Sequence, residues 1–96
     1  MEEMITIFTI DISDKKNIDE VRESLSFLST ICRVKLSDSQ IEKLLTGKLV
    51  MPLSDFILFF KVYTAWYSTS VVKLWIMQGG HEYLYIFKNK EYQVIP

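Results

Sequence analysis

Between residues 71 and 95, apolar and polar side chains alternate in three runs, parted by Gly79-Gly80 and by Asn89-Lys90. Alternation with period two marks strands whose faces meet different surroundings. Gly-Gly adopts the positive φ of a two-residue hairpin turn without a Cβ clash, and Asn tolerates the same region. The pattern predicts a three-stranded antiparallel meander over 71–78, His81–Lys88 and Glu91–Ile95. Counting outward from the turns sets Gln78 opposite His81, Leu74 opposite Tyr85, Lys88 opposite Glu91 and Tyr85 opposite Val94. One face then collects Val72, Leu74, Ile76, Tyr83, Tyr85, Phe87, Tyr92 and Val94, without a charge, and is the expected core face. The other carries an apolar strip of Trp75, Met77, Leu84, Ile86 and Ile95, edged by Lys73, Glu82, Lys88 and Glu91. A slip of one residue would exchange the two faces.

Upstream, Met4–Ile12 reads as a strand, with apolar residues on both faces as expected of an interior position. Asn17-Ile18-Asp19-Glu20 fits a capping box, and Ile18, Val21, Leu25, Leu28 and Cys32 follow at helical spacing. Ser37-Asp38-Ser39-Gln40 is a second capping box, stapled by Leu36 and Ile41. The short helix it opens should end in a left-handed cap at Gly47. Residues 48–52 read as a linker. Ser54 is the expected cap of a third helix, whose polar stripe is only Lys61, Thr64 and Ser68. Its apolar arc spans about 220° at 100° per residue, wider than one core contact uses. Such a helix should be sandwiched, or partly covered by another molecule.

The order is therefore strand, three helices, three strands. The predicted fold is α+β and two-layered, with the helices on one face of a mostly antiparallel four-stranded sheet. The first strand can join beside the last strand or beside the first strand of the meander.

Composition sharpens this picture. The chain has 96 residues, enough for one domain (1–96), and its 49% hydrophobic content is high for that length. Net charge is −1, which gives no general attraction to nucleic acid or anionic membranes. Seven acids against three bases fall within residues 1–24, and the later bases are scattered singly. One cysteine, Cys32, permits no internal disulfide and points to a reducing, cytoplasmic setting. Met1-Glu2-Glu3 is acidic where an export signal wants basic residues, so none is expected. The apolar run 56–77 is interrupted by Lys61, Lys73 and Ser68-Thr69-Ser70, so no membrane span is expected.

Chemical motifs are few. Residues 11–22 resemble a calcium loop only at the start, with Lys15, Lys16 and Arg22 standing where an EF-hand needs a ligand, Gly and Glu. Cys32 and His81 are the only candidates for a nucleophile and base, and no signature joins them. One His and one Cys do not close a zinc site. No cofactor, metal or catalytic residue is expected. A winged-helix reading is opposed by the 47–53 connection, too long for a helix-turn-helix, by a third helix that offers a groove only Lys61, Thr64 and Ser68, and by a chain that is not basic. Base stacking on the strand aromatics is possible in principle, but core packing explains them more simply.

The surplus of apolar surface directs the functional expectation. Trp75, Met77, Leu84, Ile86 and Ile95, with Phe60 and Tyr67 from the third helix, form the expected binding surface. Trp and Met inside a charged rim match the composition of protein interfaces. The sequence thus predicts a non-enzymatic, self-associating interaction module, such as an inhibitor, adaptor or mobile-element protein, whose partner is a protein or a second copy. The alternatives are a nucleic-acid-binding regulator of winged-helix-like or ribonuclease-toxin-like type, and a binder of a small apolar ligand.

Overall fold

The computed structural model of the chain describes residues 2–96. Eight elements follow in order: β1 (Met4–Ile12), α1 (Ile18–Ile31), α2 (Asp38–Thr46), β2 (Leu49–Pro52), α3 (Leu53–Trp66), β3 (Val72–Gln78), β4 (His81–Lys88) and β5 (Glu91–Ile95). The fold is α+β, with three helices layered on one face of an antiparallel sheet. That sheet has five strands, in the order β2-β1-β3-β4-β5, not four.

The meander forms as its turns dictate. Gly79 and Gly80 have φ of 58° and 81°, and Asn89 and Lys90 have 50° and 69°, all in the left-handed region. Every predicted partner is in place, including Gln78 with His81, Leu74 with Tyr85 and Lys88 with Glu91. The Lys90 amide donates to Thr64 Oγ1 at 3.1 Å, tying the second turn to α3.

β1 lies beside β3, one of the two positions open to it. Its apolar residues occupy both registers because the strand carries a bulge. Ile7 pairs with Ile76 and Thr9 with Trp75, leaving Phe8 as the extra residue. The bulge shifts the alternation by one, so Ile5, Ile7, Ile10 and Ile12 all turn toward the helices. β1 is an interior strand, but the bulge, rather than cover on both faces, explains its pattern.

The additional strand is β2, read from the sequence as a linker. Leu49 and Met51 are buried while Val50, paired with Thr6, points to the opposite face. Four residues are too few for a periodic signal to stand out. Pro52, not Ser54, is the residue before α3; its extended conformation and fixed φ start the helix without a side-chain cap. Ser54 lies in the first turn and its hydroxyl donates to the Glu2 carboxylate.

The other helix signals differ in detail. Asn17 accepts from Glu20 N–H as expected, but the Glu20 carboxylate accepts from Lys16 N–H one residue before the cap. The Ser37–Gln40 box is complete. Gly47 ends α2 with φ of −156°, not in a left-handed cap. At the end of α1, Lys35 Nζ donates to the Ser29 and Cys32 carbonyls at 3.0 and 2.8 Å, satisfying groups the helix leaves open.

The core lies between the helices and the inner sheet face. Phe56, Phe59, Phe60 and Tyr63 of α3 are fully buried; Phe56 meets Tyr85 and Phe87 edge-on and Phe60 meets Phe87 at a tilt, at ring separations of 5.2 to 5.7 Å. Thr64, expected on a polar stripe, is buried too, because its hydroxyl has both a donor in Lys90 and an acceptor in the Phe60 carbonyl. Cys32 is buried as a small apolar side chain.

Candidate functional surface

Three helices and their loops cover one face of the sheet, and no segment among the described residues covers the other. The open face is ordered by pairing into rows that run across the strands. Val50, Thr6, Met77 and Glu82 make one row. Thr9, Trp75, Leu84 and Ile95 make the next, with the bulged Phe8 beside it. Asp11, Lys73, Ile86 and Gln93 make the third. The middle row is the apolar one, and the charges Glu82, Asp11 and Lys73 flank it on both sides.

Five of the seven residues singled out from the sequence therefore share this face: Trp75, Leu84 and Ile95 in one row, with Met77 and Ile86 beside it. Trp75 is 41% exposed, a large value for an indole in mid-strand, and Ile95 is 43% exposed. An open groove of about 630 Å³ runs beside Trp75, with Phe8, Leu84, Tyr83 and Ile95 among its walls.

The other two residues do not belong here. Phe60 is 0% exposed, on the core side of α3, where it meets Phe59 edge-on and Phe87 at a tilt. It is a core residue and drops out of the binding surface. Tyr67 ends α3 on the far side of the sheet, half-buried, with its ring 4.8 Å from that of Tyr63 and Lys15 Nζ 4.8 Å above it. The reason lies in the helix arc: one chain buries more of it than one contact face would, because α3 meets both the sheet and α1.

Sequence reasoning missed the contribution of β1 and β2 to the open face. Phe8 and Val50 both stand on it exposed, and Lys48 Nζ sits 5.3 Å from the Phe8 ring centre. The apolar residue of β1 out of step with its neighbours was the available signal for Phe8. A separate exposed pair, Phe27 and Trp66 with rings 5.4 Å apart, lies on the helix side. Trp66, at 58%, is the most exposed large apolar side chain among the described residues.

Tyr92 and Val94, expected in the core, are each 40% exposed. They do point to the helix side, but the helices stop short of β5, all of whose residues are exposed. The Tyr92 ring leans on Tyr85 and Phe87 at 5.8 and 5.3 Å, with Lys61 Nζ 6.0 Å away.

Groups with altered acidity lie elsewhere, and each has a structural cause. A hydrogen bond from Ser70, at 2.7 Å, holds the Asp14 carboxyl below its ordinary value and joins the β1–α1 and α3–β3 loops. The acids and hydroxyls that suggested a calcium loop are thus used as a clasp: Ser13 Oγ also accepts from Val71 N–H at 2.9 Å. The Arg22 hydrogen bond lowers Glu42 and raises Arg22, linking α1 to α2. Burial pushes Tyr63 from 10.0 up to about 12, partly offset by its hydroxyl donating to Ser24.

Cys32 is buried at the end of α1, whereas His81 is exposed at the β3–β4 turn. No group of three or more His, Cys, Asp or Glu side chains converges among the described residues. There, no helix is long and apolar enough to cross a membrane. β2 stands between α2 and α3 as a paired strand, so these helices are not joined by the tight turn of a helix-turn-helix. No protein-family model matches the chain, and comparison with curated proteins and with solved structures gave no match.

Proposed function

We propose that this chain is a small protein-interaction module that docks a protein partner on the open face of its sheet. The carrying observation is the row from Phe8 and Thr9 through Trp75 and Leu84 to Ile95, apolar across four strands and uncovered. An antiparallel sheet commonly leaves one face to water, but that face is then polar. Here the water-facing side has a large aromatic at its centre and charges at its margin, the arrangement of a desolvated anchor within a polar rim. Inhibitors and adaptors of the cytoplasm work in this way, without chemistry of their own. Lys48, Lys73 and Lys88 on this face are balanced by Asp11, Glu82 and Glu91, which gives phosphates no positive track to follow.

Trp75→Lys tests the reading. It places a charge at the centre of the row, on a side chain that already reaches water. The variant should keep its circular dichroism and lose a protein that the wild type captures from the source cell. Capture of the same protein by both forms contradicts the proposal. Unfolding of the variant would instead make Trp75 part of the structure's own support.

The groove beside Trp75 favours a second reading, a small apolar ligand lying in it. Mass spectrometry under native conditions distinguishes the two. A bound mass of a few hundred daltons supports the ligand; an adduct of protein size supports docking.

A further inference from the structure

The two edges of the sheet are not alike. β2 is four residues long, follows Lys48 and ends in Pro52, features that discourage another strand from pairing with it. β5 likewise follows a lysine, Lys90, but it is one residue longer, has no proline within the strand and keeps an unbroken register with β4. We infer that β5 pairs antiparallel with β5 of a second copy, about a two-fold axis at Gln93, to make one continuous ten-stranded sheet.

Parity selects this register. In a two-residue hairpin the pair flanking the turn exchanges both backbone hydrogen bonds, and such pairs then recur at every second residue. Lys88 and Glu91 flank the turn, so Glu91, Gln93 and Ile95 spend their backbone groups on β4. The N–H and C=O groups of Tyr92 and Val94 point outward. An axis at Gln93 sets Tyr92 opposite the partner's Val94 and Val94 opposite the partner's Tyr92, so all four outward groups of each copy are satisfied. Centring on Val94 would face Tyr92 with Pro96, which has no N–H, and centring on Tyr92 would face Val94 with the turn residue Lys90.

The side chains agree with the same axis. Tyr92 and Val94 project to the helix side, where the helix layer leaves them partly exposed. Pairing gives two cross-strand aromatic–β-branched contacts there, a favourable combination. No like charges meet: Gln93 faces Gln93, and Glu91 faces Ile95. This occupant is a second copy rather than a foreign strand because one strand meets both requirements against itself. The interface is small, so the dimer should form and dissociate with concentration. It shares only Ile95 with the row around Trp75, and either proposal can fail alone.

Val94→Pro is the discriminating variant. It removes only an outward N–H, which an edge strand tolerates, and leaves the ladder to β4 intact. Sedimentation equilibrium should show the wild type rising from 11.3 kDa toward twice that mass with concentration. Trp75→Lys should do the same. Val94→Pro deletes two bonds per dimer, at roughly a factor of five each, and should weaken association about twenty-five-fold. In the wild type itself, hydrogen exchange at Tyr92 and Val94 should slow only at high concentration, while Gln93 is slow throughout. A wild type that stays monomeric overturns the inference, as does equal exchange at Tyr92 and Val94 at low and high concentration. So does a dimer lost in Trp75→Lys but kept in Val94→Pro, which would give self-association to the open face. If Val94→Pro does not fold, the exchange measurement decides.

Discussion

Leu74 and Trp75 are neighbours on the same strand, yet they belong to different physical systems. Leu74 is fully enclosed between the sheet and the helices; Trp75, one pleat over, faces solvent. Alternation along β3 is therefore the boundary between what holds the molecule together and what it presents. The covered face has its aromatic rings packed against one another and its hydroxyls paired: among the described residues no buried side-chain polar atom lacks a partner. The open face has apolar surface of the same kind with nothing against it. Similar residue types thus serve cohesion on one side and remain available on the other, and cover, not composition, makes the difference.

Changes at matched sites should break or sharpen that contrast. The largest effect is expected of Leu74→Lys, which strands a charge in the core and should cost more than about 4 kcal/mol, enough to abolish the cooperative transition in thermal circular dichroism. Tyr63→Phe, also on the covered side, removes the hydroxyl given to Ser24 at 2.8 Å and should cost about 1 kcal/mol in urea unfolding. It has a pH signature as well. The Tyr63 phenol is raised from 10.0 to about 12 in the folded chain, so its contribution is full below pH 10 and lost as pH rises toward 12. Tyr63→Phe should flatten part of that alkaline decline; Tyr67 and Tyr85, likewise raised by burial, keep the remainder.

At the margin where helix cover gives out, Lys90→Gly should stabilise by about 1 kcal/mol. A lysine at φ of 69° is strained, and glycine relieves this while keeping the N–H that donates to Thr64. A loss of stability there would show that the Lys90 side chain, not the turn, holds the outer hairpin. Smallest of all for folding is Trp75→Lys, expected to change the unfolding free energy by less than about 0.5 kcal/mol. A cost like that of Leu74→Lys would erase the distinction between the faces.

The meander was legible because its register depends on two local turns, and local turns are written in adjacent residues. Gly79-Gly80 and Asn89-Lys90 fixed every cross-strand pair, and with them the rows on the open face. The first strand was harder, since a single bulge at Phe8 reverses the meaning of all alternation beyond it. β2 escaped notice because Leu49 and Met51 gain strand character from β1, not from their neighbours in the chain. Phe60 was misplaced for a related reason: hydrophobic spacing shows how wide an apolar arc is, but not how many partners share it. Tyr92 and Val94 expose the converse. Their face was assigned correctly, yet the extent of the helix layer above it is a tertiary fact that alternation does not contain.

Site-specific photo-crosslinking inside the source cell tests the role of the open face most directly. A photoreactive phenylalanine at position 75 should yield a discrete adduct of protein size, absent when the same group replaces Lys43 on the exposed side of α2. Adducts that are lacking at position 75, or that are the same at both positions, would contradict the open face as a docking surface.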